Sequence, residues 1–87
     1  MAYTVRVAPT AARQLSQRLP ESVAAACLEF IYGALADRPY RVGAPLRTPF
    51  EGQYRARRGE YRVRYRIDDD QKVVYILDVD HRRDAYR

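Results

Sequence analysis

The chain has 87 residues, of which 16 are Lys or Arg and 11 are Asp or Glu, so its net charge is +5. At this length we expect one domain over residues 1–87, and a hydrophobic fraction of 47% excludes a disordered basic tail. A single cysteine excludes an internal disulfide, and the lack of a long apolar run predicts a soluble, cytoplasmic protein without a membrane span or signal peptide.

The first forty residues predict a strand followed by a helical hairpin. Residues 3–7 alternate apolar and polar, which indicates a half-buried strand. Thr10 can cap a helix over residues 11–17, and Pro20 marks the start of a second helix that must end before Arg38. The second helix has an apolar stripe at four-residue spacing, which consists of Val23, Cys27 and Ile31.

The second half of the chain predicts strands. Residues 39–52 contain three prolines and two glycines and are typical of a loop. Strand patterns follow at about 53–58, 61–67 and 73–79, and the last is apolar on both faces, which favours a central place in the sheet. The order β-α-α-β-β-β predicts an α+β fold, with the helical hairpin packed on a mainly antiparallel twisted sheet.

The turn between the first two of these strands predicts where the arginines lie. Gly59-Glu60 fits a two-residue type II′ turn, which sets Arg57 opposite Arg62 and Arg55 opposite Arg64. Like charges directly opposite one another destabilise a sheet, and a bound anion would remove that penalty. Side-chain alternation places five arginines on one face, namely Arg55, Arg57, Arg62, Arg64 and Arg66.

Charge is concentrated in the same part of the chain. Residues 41–66 have eight arginines against two glutamates, whereas residues 67–80 have one lysine against five aspartates. One interpretation is a polyanion site. The other is a solvated face whose charge is neutralised by Asp78, Asp80 and the acidic loop 68–70.

Three segments resemble a known family. Residues 53–67 resemble the central hairpin of the RelE-type toxins of bacterial toxin–antitoxin systems. Residues 79–87 resemble the closing His-Arg-x-x-x-Tyr-Arg segment of that family, and residues 41–46 resemble a loop of its mycobacterial-type members. The order β-α-α-β-β-β also matches the RelE/ParE fold, so the resemblance covers essentially the whole chain.

The resemblance implies a ribosome-dependent endoribonuclease that cuts mRNA in the decoding site. In this reaction the ribose 2′-hydroxyl attacks the adjacent phosphodiester, and the family needs neither a metal nor a cofactor. The implied partners are the ribosome, mRNA and an acidic, RelB-like antitoxin, and operator DNA would be bound only through the antitoxin complex. An acidic antitoxin would suit a strongly basic stretch of the chain.

The resemblance also implies site residues. The catalytic positions of the family fall on Arg55, Arg57, Arg62, Arg82 and Tyr86. The family often has a lysine at position 55 as the general base, but an arginine stays protonated near neutral pH. We therefore expect Arg55 to clamp phosphate, and His81 or Tyr86 to transfer the proton. The arginines expected to bind nucleic acid around them are Arg41, Arg47, Arg58 and Arg64.

The sequence gives weaker support for two other candidate sites. The three aspartates at 68–70 are typical of a solvated turn rather than a metal site, and Cys27 fits the core rather than a nucleophile.

Two alternative functions stay open. One is a ParE-like inhibitor of DNA gyrase, although such proteins generally lack the arginine-rich hairpin and the histidine–arginine–tyrosine ending. The other is a basic RNA-binding domain without catalysis.

Overall fold

The structure, a computed structural model, describes residues 2–81. Its strands form one five-stranded sheet in the order β1-β5-β4-β3-β2, where β1 and β5 are parallel and the other pairs are antiparallel. The strands are β1 (Thr4–Val7), β2 (Ala44–Pro45), β3 (Gln53–Arg58), β4 (Tyr61–Asp68) and β5 (Val73–His81). The helices are α1 (Pro9–Arg13), α2 (Glu21–Phe30) and α3 (Pro39–Val42). The predicted α+β fold, a helical hairpin on a mainly antiparallel sheet, is confirmed.

Both arms of the helical hairpin continue in π-helical turns. The segment Gln14–Arg18 extends α1, and the segment Ile31–Leu35 extends α2. The predicted cap at Thr10 is wrong, because α1 begins two residues earlier than predicted, with Pro9 at its first position and Ala8 as its cap. Proline suits this place, since its fixed φ is helical and its missing N–H would have no helical partner.

The apolar stripe of α2 packs on the sheet as predicted. Val23, Cys27 and Ile31 are buried and join a core cluster with Val63 and Ile76 of the central strands. Burial raises the pKa of the Cys27 thiol to about 12. Cys27 is therefore a protonated core residue, and not a nucleophile, at neutral pH.

The prediction that residues 39–52 are loop is wrong in part, because this segment contains α3 and β2. The two residues of β2 pair with Tyr54 and Arg55 and cover the outer edge of β3. Proline is tolerated there because Pro45 lies on an edge strand. Gly43 is required at this crossing, since a Cβ atom would lie 2.8 Å from the backbone oxygen of Arg55.

The hairpin of β3 and β4 has the predicted register. Arg57 pairs with Arg62, and Arg55 pairs with Arg64. Gly59 has a φ of +50°, and Glu60 does not have a positive φ, as a type II′ turn requires. The side chains of Ala56 and its neighbours at alternate positions face the helices, so the arginines face the opposite side of the sheet.

The strand β5 is central, as predicted, and contains a β-bulge. Arg64 pairs with Asp78 while Tyr65 pairs with Ile76, so Leu77 is an extra residue on β5. Before the bulge Ile76 is buried against the helices, and after it Val79 takes that orientation. The bulge thus turns Asp78 towards the arginine face.

The acidic turn after β4 fastens three parts of the chain. The hydroxyl of Tyr3 donates a 2.6 Å hydrogen bond to one oxygen of Asp69, and the hydroxyl of Tyr40 donates to the other. These two bonds lower the pKa of Asp69. Asp69 is thus a structural acceptor that joins the β4–β5 turn to α3 and to the residue before β1. Within residues 2–81 no helix is long and apolar enough to cross a membrane.

Candidate functional site

The arginine face of the β3–β4 hairpin is where cationic side chains converge. Arg55 and Arg57 are exposed on β3, whereas Arg62 and Arg64 are half-buried on β4. The pairing of like charges across the two strands is that expected from the sequence. This surface can therefore present several guanidinium groups to one phosphate or to neighbouring phosphates.

A pocket of about 180 Å³ lies on this face. Its charged lining residues come from three strands and are Arg55, Arg62, Arg64, Asp78 and Asp80. Leu46 and Phe50, from the segment between β2 and β3, form its apolar side. Arg57 is outside this lining but lies directly across from Arg62. The pocket combines groups that bind anions, groups that exchange protons and an aromatic ring.

Arg64 is held in place from three directions. One guanidinium nitrogen donates a 2.7 Å hydrogen bond to the side-chain oxygen of Gln53, and the other lies 3.9 Å from a carboxylate oxygen of Asp78. Its guanidinium also lies 5.4 Å from the centre of the Phe50 ring. These contacts make Arg64 a fixed wall of the pocket rather than a mobile surface cation.

The other oxygen of Asp78 is held by Gln14, which lies in the first helical arm, that is, α1 and its π-helical turn. The amide nitrogen of Gln14 donates a 2.7 Å hydrogen bond to Asp78, while the amide oxygen of Gln14 accepts one of 2.6 Å from the backbone N–H of Val79. Gln14 therefore takes the place of β1 beside β5, because β1 pairs with β5 only as far as Ile76. Both hydrogen bonds fix the strand on which Asp80 lies.

Asp80 is the second carboxylate of the pocket and lies directly across from Arg62. Burial and the neighbouring Asp78 carboxylate raise the pKa of Asp80, and the positive charges of Arg62 and Arg64 oppose that rise. A half-buried carboxylate of this kind gains and releases a proton closer to neutral pH than an exposed one.

His81 lies on the other face of the sheet. It pairs with the buried Tyr61 and is itself only 8% exposed, beside Gln14 and Leu19 of the first helical arm. Its Nε2 atom has no hydrogen-bond partner and lies 3.9 Å from a carboxylate oxygen of Glu60. The structure therefore does not place His81 in the lining of the arginine pocket, although His81 and Asp80 both line a neighbouring pocket.

The remaining predicted site residues lie in different places. Arg58 is on the helix side of the hairpin, with its guanidinium 4.7 Å from the centre of the Phe30 ring. Arg41 is exposed on α3, and Arg47 is exposed in the segment that carries Phe50. Two predicted residues, Arg82 and Tyr86, lie outside the described residues.

Four residues of the pocket lining are absent from the predicted site, namely Leu46, Phe50, Asp78 and Asp80. The sequence suggested Asp78 and Asp80 only as neutralising charges. The signal for Asp80 was present in the sequence, since unbroken alternation from Val74 and Ile76 would place Asp78 and Asp80 in the core. Charged residues at core positions indicate that the alternation of inward and outward side chains shifts by one residue along the strand. That shift would have placed both carboxylates beside the arginines. No group of His, Cys, Asp or Glu within residues 2–81 is arranged to hold a metal ion.

Two toxins are among the known proteins similar to this chain. The family described as "ParE toxin of type II toxin-antitoxin system, parDE" matches residues 2–86. "Toxin RelE" of Mycobacterium tuberculosis is 52% identical over 85 residues, which are 98% of this chain and 87% of that protein. "Toxin RelG" of the same organism is 53% identical over 87 residues, covering 100% of this chain and 99% of that protein.

Solved structures of RelE proteins have the same fold. The toxin–antitoxin complex RelBE2 from M. tuberculosis superposes with a TM-score of 0.91 at 51% identity, covering 94% of this chain and 100% of that one. The archaeal RelE–RelB complex from Pyrococcus horikoshii gives a TM-score of 0.72 at 30% identity, with coverages of 94% and 97%. With a family match along nearly its whole length and relatives at this identity, the chain belongs to the RelE/ParE family of toxins from type II toxin–antitoxin systems.

Proposed function

We propose that this toxin is a ribosome-dependent endoribonuclease that cleaves mRNA in the decoding site without a metal ion. The observation that supports this most directly is the pocket in which Arg55, Arg62 and Arg64 meet two carboxylates. Cleavage by the ribose 2′-hydroxyl places extra negative charge on the phosphorus centre, and fixed guanidinium groups stabilise that charge. Such a site suits phosphodiester cleavage better than simple binding, because its carboxylates weaken binding of an anion.

The arginines divide this work according to where they lie. Arg55 and Arg62 line the pocket and bind the scissile phosphate, and the exposed Arg57 binds the backbone beside it. Phe50 offers a ring that is 45% exposed for stacking on a base. Arg82 and Tyr86 remain part of the proposed site because they match the closing segment of the family.

We further propose that a RelB-like antitoxin of acidic character inhibits the toxin by covering the arginine face. Two similar proteins of known structure are RelE toxins solved with RelB antitoxins. The net charge of +6 over residues 41–66 would attract such a partner, and Coulomb attraction would speed its association. Antitoxin added before the ribosome should abolish cleavage.

The test is cleavage of mRNA on programmed ribosomes, with the new 5′ ends mapped by primer extension. The wild-type protein should give cuts in phase with codons, and Arg55→Gln should slow cleavage about 10²-fold, since it removes one donor to the transition state. Arg6→Gln is the matched control, because Arg6 is an exposed arginine on β1, at the other edge of the sheet. It should leave the rate within about twofold.

A supercoiling assay with DNA gyrase runs in parallel, since the family match carries the name ParE. Arrest of gyrase without mRNA cuts would overturn the nuclease proposal and identify a gyrase inhibitor. Salt-dependent binding to any RNA, without cuts, would identify a non-catalytic binding domain.

A further inference from the structure

The pocket needs a proton acceptor that its arginines cannot supply. Attack by the ribose 2′-hydroxyl requires a base, and arginine does not release its proton at neutral pH. The chain has one lysine and one histidine. Lys72 lies beside the ring of Tyr3, 5.1 Å from its centre, and His81 faces the helices. Within the part of the chain that the structure describes, the bases of this pocket are therefore its two carboxylates, Asp78 and Asp80.

The two carboxylates differ in what holds them. Asp78 accepts a hydrogen bond from Gln14 and lies beside the fixed Arg64, so its two oxygens are engaged on opposite sides. Asp80 lies nearer the end of β5, across from Arg62, which is proposed above to bind the scissile phosphate. The cross-strand neighbours of an antiparallel pair are about 5 Å apart at Cβ. A group bound to Arg62 therefore comes within reach of the Asp80 carboxylate.

We infer that Asp80 is the general base of this toxin. This inference rests on the proposed ribonuclease function. A carboxylate oxygen of Asp80 takes the proton of the ribose 2′-hydroxyl, and the 2′-oxygen forms a bond to phosphorus while the bond from phosphorus to the 5′-oxygen breaks. The 5′-oxygen takes a proton from water, and Asp80 later releases its proton to solvent. The products are a 2′,3′-cyclic phosphate and a 5′-hydroxyl.

The surroundings of Asp80 suit a base. The half-buried position and the Asp78 charge raise its proton affinity above that of an exposed carboxylate, while the positive charges of Arg62 and Arg64 oppose that rise. The first helical arm also contributes to its environment through the pocket that Asp80 shares with Arg18 and His81. The charged and titratable groups around it are thus Arg18, Arg55, Arg62, Arg64, Asp78 and His81.

The test measures single-turnover cleavage on programmed ribosomes from pH 5.5 to pH 8. Wild-type cleavage should rise with pH and then level off, as for a base that must be ionised. Asp80→Asn should cleave about 10²–10⁴-fold more slowly at the plateau, with ribosome binding retained. Asp80→Glu, which keeps a carboxylate, should recover at least part of the rate. A role in structure alone would lower stability and would not produce this pattern.

Asp78→Asn is the second variant, and it keeps an oxygen that can accept the bond from Gln14. It removes the negative charge beside Asp80, so the rising part of the pH profile should move to lower pH, whatever the height of the plateau. This shift is read on a variant that keeps the Asp80 carboxylate, so it tests the inference even if Asp80→Asn does not fold.

The outcomes separate the two proposals. If Asp80→Asn cleaves within about threefold of the wild-type rate and keeps the rising limb, Asp80 is not the base, although the ribonuclease function stands. A wild-type rate that falls as the pH rises would likewise overturn the role as base. If the wild-type protein makes no cuts on the ribosome, the ribonuclease proposal fails, and the assignment of Asp80 fails with it.

Discussion

Arg57 and Arg62 lie directly opposite each other on the two strands of the β3–β4 hairpin, so two guanidinium groups share one rung of the sheet. Like charges in this arrangement destabilise an antiparallel pair by several tenths of a kcal/mol, about 0.2–1 in the general case. Such a cost in folding free energy fits the proposed role of this face in binding an anion.

The first prediction is that Arg57→Gln stabilises the free protein and weakens the toxin. The melting temperature should rise by about 1–5 °C, because the repulsion with Arg62 is removed. Cleavage on ribosomes should fall by about tenfold or more, because a phosphate contact is lost. Thermal unfolding followed by circular dichroism at low salt measures the first effect, and the gain should shrink at 1 M salt.

Arg66→Gln is the control for this pair, since Arg66 lies across from Gln53 on one side and Tyr75 on the other. Its melting temperature should not rise, because no like charge is relieved and its guanidinium contact with the Tyr75 ring, 4.4 Å from the centre, is lost. An equal rise in both variants would show that net charge, rather than the cross-strand pair, sets the effect.

The fold could be predicted where local signals agreed. The hairpin register followed from Gly59-Glu60, because a two-residue turn leaves one alignment of the flanking strands. The segment 39–52, which contains α3 and β2, was predicted as a loop because it has three prolines and two glycines. What makes β2 a strand is its partner, since two residues have no strand signal of their own and acquire it by pairing with Tyr54 and Arg55.

Of the residues that line the pocket, only the arginines could be predicted from the sequence. Alternation places Arg55 and Arg62 on one face, but the position of Asp80 depends on the extra residue Leu77 in β5. A bulge is set by the packing of both neighbouring strands, so a single strand's pattern does not display it directly. The same bulge places His81 on the helix side of the sheet. Because the sequence does not display the bulge, it favoured His81 as the proton acceptor without showing that the arginines lie on the other face.

The second prediction concerns His81, the proton-transfer group that the sequence favoured together with Tyr86. We expect His81→Leu to keep ribosome-dependent cleavage within about threefold, because the imidazole is buried beside Tyr61 and faces away from the pocket. Its stability should be kept or raised, since the substitution removes a buried nitrogen that has no hydrogen-bond partner.

Cleavage rates and melting temperatures, measured on one preparation, check both parts of the expectation for His81. A loss of about 10²-fold or more in a variant that melts like the wild type would contradict it. Histidine would then return as the proton-transfer group, reaching the substrate from the end of β5.

The third prediction concerns the hydroxyl of Tyr65. This residue is fully buried, and its hydroxyl donates a 2.6 Å hydrogen bond to the backbone oxygen of Pro39 at the start of α3. Tyr65→Phe removes the donor and leaves the carbonyl with one partner fewer, so the free energy of unfolding should fall by about 1–2 kcal/mol. Chemical denaturation measures this change.

Tyr75→Phe is the matched control for Tyr65, because Tyr75 is a half-buried tyrosine of the same sheet whose ring lies under Arg66. Its free energy of unfolding should change by less than about 0.5 kcal/mol. Equal losses in the two variants would show that the bond to Pro39 contributes nothing specific. An unchanged Tyr65→Phe protein would show the same.

The fourth prediction is a loss of stability in alkaline solution that depends on Tyr40. Its hydrogen bond to Asp69 raises the pKa of the Tyr40 hydroxyl to about 12 in the folded protein. The pKa in the unfolded chain is about 10, so the contribution of this tyrosine is present in full below pH 10 and is lost between about pH 10 and pH 12. Tyr40→Phe should therefore lose less stability over that interval than the wild type, although it is less stable at pH 8.

The measurement is the free energy of unfolding at pH 8, 10 and 11 for the wild type and two variants. Tyr32→Phe serves as the control, since its side chain is 59% exposed on the π-helical turn after α2, and its alkaline loss should equal that of the wild type. Cys27 and Tyr65 also have raised pKa values, and because neither bonds to Asp69 we expect their contributions to cancel in the difference. Parallel curves for the wild type and Tyr40→Phe would show that the bond to Asp69 does not hold the hydroxyl protonated.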